Sequence, residues 1–383
     1  MKIGIFTDTY YPSVNETTII IEDLKKNIEK KGHKVCIVTA SHHEVVGSEE
    51  NIYRVVRDID LGANRVANVI RKVDSTDKKA ILDMKFDVVH TFGMGNVAML
   101  GKAVATKLNV PYVCSVLNDD ETAYKVAKEV EGKKASKIML KKIEYINNSL
   151  LSKAANIISY ADDEYTNVIY GLDVKDFAAS DEEVEAVLKE TKLKSKNVHV
   201  LVADACDNVA AIVNKFKEII ANDKKAALVV VGMAGEVEEE YKGNILYVAD
   251  SAKLNVFFKI AKALIYATSV KTANVYCELA KASGLPVIAL DSEYIKDVVV
   301  DHKNGLVFHN IDELEDVVKI LAKDKSVVSS VEKHTLGAAK KHSSVDHAKT
   351  METIYLKAIR NKNSERKDDI YKNRKHRRKM TNK

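Results

Sequence analysis

A chain of 383 residues is too long for one ordinary core, so two domains and a tail are expected. With 46% hydrophobic and 30% charged residues it reads as globular and water-soluble; no apolar run reaches membrane-spanning length, and MKIGIFTDTYYP lacks the features of a signal peptide. The formal charge of +5 is unevenly placed: residues 360–383 hold 11 Lys/Arg against 3 Asp/Glu, or +8, which leaves about −3 for the rest. Cys36, Cys114, Cys206 and Cys277 are scattered without paired spacing and mostly in apolar settings. They read as small buried hydrophobes in a reducing compartment.

Residues 2–6 alternate into a short buried strand. A loop, TDTYYPSVNET, follows, and then an amphipathic helix over 17–30 with Ile20, Leu24 and Ile28 on one stripe. Gly32 closes that helix before the strand HKVCIVTA. Next come YRVV, a helix over 66–82, FDVVHT, a helix over 97–108 and PYVCSVL. A long basic amphipathic helical region over 123–154 precedes the strand NIISYA. Apolar strands alternating with helices predict a parallel sheet covered on both faces.

The texture changes after Gly171. Residues 173–197 are a charged linker with a helix, and VHVLVAD opens a second alternating set. It runs through a helix over 209–220, ALVVVG, ILYVAD, a short helix and ALIYAT to the block YCELAKASGLPVIALDSEYIKDVVVDHKNGLVF. That block reads as helix, Gly-Leu-Pro break, buried strand, short helix and strand. Helices over 312–321, 327–341 and 345–359 follow. Two doubly wound α/β halves joined by a linker put a ligand site in the cleft between them, outside the carboxyl ends of the strands. That inference leaves the chemistry open.

The block from Tyr276 to Phe308 resembles the nucleotide-sugar half of family 4 glycosyltransferases, which carry E-A-x-A-x-G-x-P-V-V-A and a D-x-x-x-x-G-x-x-F return. The opening stretch resembles the T-D-x-Y-x-P-x-V-N-G, amphipathic helix and R-G-H-x-V of bacterial members that glucosylate diacylglycerol. FDVVHT, KLNVPYV and YGLDVKDF match further family positions, as do Pro12, Pro111 and Pro286. The resemblance implies an α/β, GT-B fold: two Rossmann-like doubly wound domains facing across a cleft. Expected boundaries are an acceptor or membrane domain at 1–172, a linker at 173–197 and a nucleotide-sugar domain at 198–341. A helix returning to the first domain is expected at 342–360, and a basic disordered tail at 361–383.

The implied reaction moves a hexose from a nucleotide sugar to a membrane lipid such as diacylglycerol, with retention and with neither metal nor cofactor. Carried over position by position, the resemblance gives Glu278 to the donor ribose and Asn15 and His90 to the donor site. His90 also reads as an ordinary structural histidine at a strand end, and Glu278 as a solvated glutamate on a helix face. Four positions depart from the family pattern. Glu16 stands where a glycine would let backbone amides approach phosphate. Leu117 replaces a histidine, Val270 a glutamate that contacts the sugar, and Asp204 an arginine that would hold the diphosphate. An acid facing a diphosphate is repulsive.

Two functional readings follow: a peripheral-membrane hexosyltransferase, or a catalytically inactive GT-B paralogue with a regulatory or scaffolding role beside a protein partner. Lys133, Lys134, Lys137, Lys141 and Lys142 lie in a basic amphipathic stretch suited to anionic membrane lipid, although a solvated helix face reads the same way. The tail suits anionic lipid as well. With only Tyr371 for stacking it favours lipid over nucleic acid, which would make an RNA-associated protein the weakest reading. The expected location is cytoplasmic, peripheral on the inner face of the cell membrane.

Overall fold

The computed structural model describes residues 1–41, 45, 49–55, 73–117, 120–160, 165–173, 175, 177–249, 251–296, 298–323, 329 and 343–381, with residue 323 and those after 366 described by backbone alone. Seven strands form the first sheet: β1 (Lys2–Thr7), β2 (Lys34–Ala40), β3 (Ile52–Val55), β4 (Val88–Phe92), β5 (Tyr112–Val116), β6 (Asn156–Ser159) and β7 (Thr166–Asn167). Their order is β3-β2-β1-β4-β5-β6-β7. Six more form the second: β8 (Asn197–Cys206), β9 (Ala226–Val231), β10 (Ile245–Val248), β11 (Ala263–Ala267), β12 (Val287–Leu290) and β13 (Leu306–Phe308), in the order β10-β9-β8-β11-β12-β13. All these pairings are parallel. The two sheets thus share one winding pattern, with the strand order reversing between β1 and β4 in the first and between β8 and β11 in the second.

The pattern follows from which side chains each strand must bury. On β1, Ile3 and Ile5 enter a core shared by both domains, while Phe6 enters a second core on the opposite face. On β9, Ala227, Val229 and Val231 face the shared core and Leu228 and Val230 face a third. Strands apolar on both sides need helices on both sides, which is the doubly wound arrangement.

Two expectations about helices change. The region expected as one long helix over 123–154 is two, Asp120–Val130 and Lys137–Leu151. Gly132 takes φ +67°, and the N–H groups of Gly132 and Lys133 return to the carbonyls of Glu129 and Lys128, closing the first helix with a left-handed cap. The short helix expected inside the 276–308 block is a set of turns over 293–296. The helix before it ends as expected: Gly284 (φ +73°) and Leu285 donate to the carbonyls of Lys281 and Ala280.

The last helix runs unbroken over Ser344–Thr381, so residues expected as a disordered tail continue it. The segment contains neither Gly nor Pro and is rich in Lys and Arg, which favour helix. Its first part packs on the first domain. Glu352 pairs with Lys31 and His33, and the Arg366 guanidinium donates to the Asn109 carbonyl. In the linker, helix Asp181–Glu190 begins with a Ser180/Glu183 capping box and ties to the second domain through Lys259 and Asp181, 2.7 Å apart. Apart from residue 329, the helix expected over 327–341 lies outside the described residues, as does the first part of that over 66–82.

Candidate functional site in the interdomain cleft

The two points where strand order reverses open on a common cleft. Its cavity, about 620 Å³, is lined from the first domain by the ends of β1 and β4, the start of helix Glu16–Lys30 and helix Lys137–Leu151. The second domain contributes Asp204, Thr272 and Tyr276.

Two helices that point their amino termini at this cavity are already supplied with a carboxylate. Asp8, just past β1, accepts from the Val97 N–H at 3.1 Å, at the start of helix Asn96–Leu108. Gly95 makes room for it, since a Cβ there would stand 2.1 Å from an Asp8 carboxylate oxygen. Burial raises the Asp8 pKa, and the N–H groups of Val97, Asn96 and Ala98 offset part of the rise. Glu16 acts across the cleft: its carboxylate accepts from the Tyr276 N–H at 3.5 Å, in the first turn of helix Val275–Ala282. A negative charge suits that position. Burial nevertheless pushes the Glu16 carboxyl up to about 7, with the Tyr276 and Val275 N–H groups and the Thr272 hydroxyl opposing the rise and Asp204 adding to it.

Asp204 and Tyr276 complete the second wall. Water reaches Asp204, but enough protein surrounds it that desolvation raises its pKa. Among the described residues it has no hydrogen-bond or ion-pair partner. The Tyr276 hydroxyl is buried without a hydrogen bond, and burial, followed by the charges of Asp204 and Glu16, raises its pKa well above the usual value. Asp8, Glu16, Asp120 and Asp204 therefore line the cavity with no Lys or Arg among the described lining residues. Asn15, expected at the site, is there too, holding its helix start by accepting from the Thr18 N–H at 3.0 Å.

Other expected site residues lie elsewhere. Glu278 is not in the cavity; it forms a buried ion pair with Lys281, whose ammonium also donates to the Val298 carbonyl at 3.2 Å. Three residues apart on one helix, the two share a side of it. His90 is fully buried in the first domain, with its ring nitrogens 2.7 Å from the Tyr355 hydroxyl and 2.7 Å from Ser115 Oγ. Burial lowers its pKa to about 3, so it is a neutral structural residue. Leu117 belongs to the shared core, and Val270 is half-buried beside Thr268 and outside the cavity lining. Lys271, the nearest cation in sequence, lies over the Tyr294 ring, 5.8 Å from its centroid.

Sequence reasoning missed Asp8, Asp120 and Tyr276. The TDT after β1 was a usable signal for Asp8, because a carboxylate one residue past a buried strand faces the switch point.

The basic stretch adjoins the cleft. Ile143 and Ile146 of helix Lys137–Leu151 line the cavity, while Ile138 (80% exposed) and Tyr145 (54% exposed) stand in water. Lys133, Lys134, Lys137 and Lys141 are exposed and Lys142 is half-buried. No helix of the described residues is long and apolar enough to cross a membrane.

Residues 195–324 match the family model described as Glycosyl transferases group 1. That segment is a glycosyltransferase group 1 domain. The whole chain is similar at low identity to alpha-monoglucosyldiacylglycerol synthases. The Acholeplasma laidlawii protein is 23% identical over 393 residues, with 94% of this chain and 98% of that protein covered. The Streptococcus pneumoniae protein is 22% identical over 410 residues, with 98% and 90% covered. Among solved structures, sucrose-phosphate synthase from Thermosynechococcus elongatus superposes with a TM-score of 0.67 at 14% identity, covering 93% of this chain and 98% of that one. Anabaena HepE in complex with UDP-glucose gives 0.67 at 12%, covering 92% and 98%. The fold is GT-B.

Proposed function

We propose that this group 1 glycosyltransferase relative works at an anionic membrane surface as a catalytically silent partner, with a cleft that does not accept a nucleoside diphosphate. The observation that carries this reading is the cleft lining: four carboxylates, with Glu16 seated on the helix start of the opposite domain and no described Lys or Arg. Departure of a nucleotide builds negative charge that a transferase must stabilise with preorganised positive groups. Asp204 opposes that charge. Glu278 is engaged with Lys281 rather than open to a ribose. The membrane part rests on the exposed Ile138, Met139 and Tyr145 interleaved with lysines on the outer side of a helix whose inner side lines the cleft.

The second reading, transfer of a hexose from a nucleotide sugar to a lipid such as diacylglycerol, is favoured by the near-complete coverage of the two synthases. Calorimetry of the purified full chain with UDP and UDP-glucose separates the two. We expect no binding by the native protein and measurable binding by Asp204→Arg. Micromolar binding by the native chain would overturn the silent reading and make transfer to lipid the working hypothesis.

A further inference from the structure

If the cleft rejects a nucleoside diphosphate, on which reading the following rests, its chemistry still specifies what it would accept. Asp204 is a carboxylate with no partner among the described residues. Beside it lies the Tyr276 hydroxyl, in a residue 1% exposed, with no hydrogen bond made. Glu16 brings a third oxygen-bearing group from the facing domain, already taking the Tyr276 N–H but with acceptor capacity to spare. On the cavity wall formed by helix Lys137–Leu151, the Asn147 side-chain carbonyl is also buried without a partner. Threonines 7, 9, 17 and 272 add hydroxyl groups around these.

An ammonium group donates three hydrogen bonds and accepts none. Asp204 and the Tyr276 hydroxyl oxygen offer acceptors from the second domain and Glu16 offers one from the first, with Asp204 supplying the negative charge. Neutral polyols would leave the carboxylates uncompensated, and anions would be repelled. We propose that the interdomain cleft binds a small organic cation bearing primary ammonium groups, with Asp204 as its anchoring counter-ion and Glu16 and Tyr276 as the other acceptors. The Asn147 carbonyl would receive a second amino or hydroxyl group of the same molecule. Aliphatic polyamines and amino sugars both have this chemistry, and the cavity volume of about 620 Å³ admits either.

The test is calorimetry of the full-length protein in 150 mM salt against spermidine, glucosamine, glucose and UDP-glucose, with an Asp204→Asn variant in parallel. Asp204 lies at the water-reached wall and Asn has the same shape, so the variant should melt where the native protein does. The expected result is one saturable site for spermidine or glucosamine, weakened at least tenfold in Asp204→Asn, with no glucose binding. The better-binding amine identifies the source. No binding by either amine, or equal binding by native and variant, overturns the proposal. The first outcome without UDP-glucose binding leaves the silent reading intact, whereas UDP-glucose binding by the native chain overturns that reading as well.

Discussion

Glu16 carries the clearest consequence of a single side chain. In the folded protein its carboxyl titrates near 7, against an ordinary 4.5, because burial between the domains disfavours the charge. The folded state therefore holds this proton more tightly than the unfolded one, and the contribution to stability falls as pH rises from 4.5 to 7. Glu16→Gln keeps an acceptor for the Tyr276 N–H and removes the charge. We expect the variant to melt with the native protein at pH 4.5 and above it at pH 7.5, by about 3 kcal/mol at most. The difference between the two proteins is the proper readout. His90 and His199, depressed to about 3 and about 4 by burial, act with the opposite sign and lose stability as pH falls below 6.5. A gap that does not change with pH would count against a charged, buried Glu16. Glu16 and Asp204 were named in the sequence because they stand at positions where the family pattern has a glycine and an arginine, Glu16 at the start of the first helix and Asp204 near the end of β8. The surroundings of His90 and Glu278 were not legible there. Strand alternation puts His90 on one of two faces, but which element covers that face is a long-range fact, and the Glu278–Lys281 pairing competes locally with any ligand role.

At the scale of elements, the apolar strands were legible from their residues, as were the glycine-capped helix ends, whereas β7, two exposed polar residues, was not. The limits lay in junctions. Gly132 divides one expected basic helix into two, so the lysines occupy a corner between helices, with Lys133 and Lys134 in the turn and Lys137 and Lys141 in the first turns of the second helix. Near anionic lipid each basic residue contributes about 1 kcal/mol, so Lys137→Glu with Lys141→Glu should cut partitioning to phosphatidylglycerol-containing vesicles by about tenfold or more. Ile138→Asp should do the same by removing apolar insertion. Unchanged vesicle sedimentation for both variants would mean that this helix is an ordinary solvated surface.

For the whole molecule, the last helix binds the first domain through contacts that no local pattern announces. Tyr355 closes the His90 ring, Ser344 donates to Asp23, and Tyr160 faces His347 at 3.4 Å. Tyr355→Phe leaves one buried imidazole nitrogen without a partner, a loss of about 1–3 kcal/mol. We expect a melting point lowered by several degrees, measured by calorimetry, and no change in amine or nucleotide binding, since neither residue lines the cleft.

The His90–Tyr355 contact also sets an order of events during synthesis. The partners are separated by 265 residues, so the amino-terminal domain waits on the ribosome for the last element of its own core. At typical translation speeds of about 5–20 residues per second, that wait is on the order of 10–50 s. Throughout it His90 lacks the Tyr355 hydroxyl, and that side of β4 lacks the cover the last helix gives it in the finished protein.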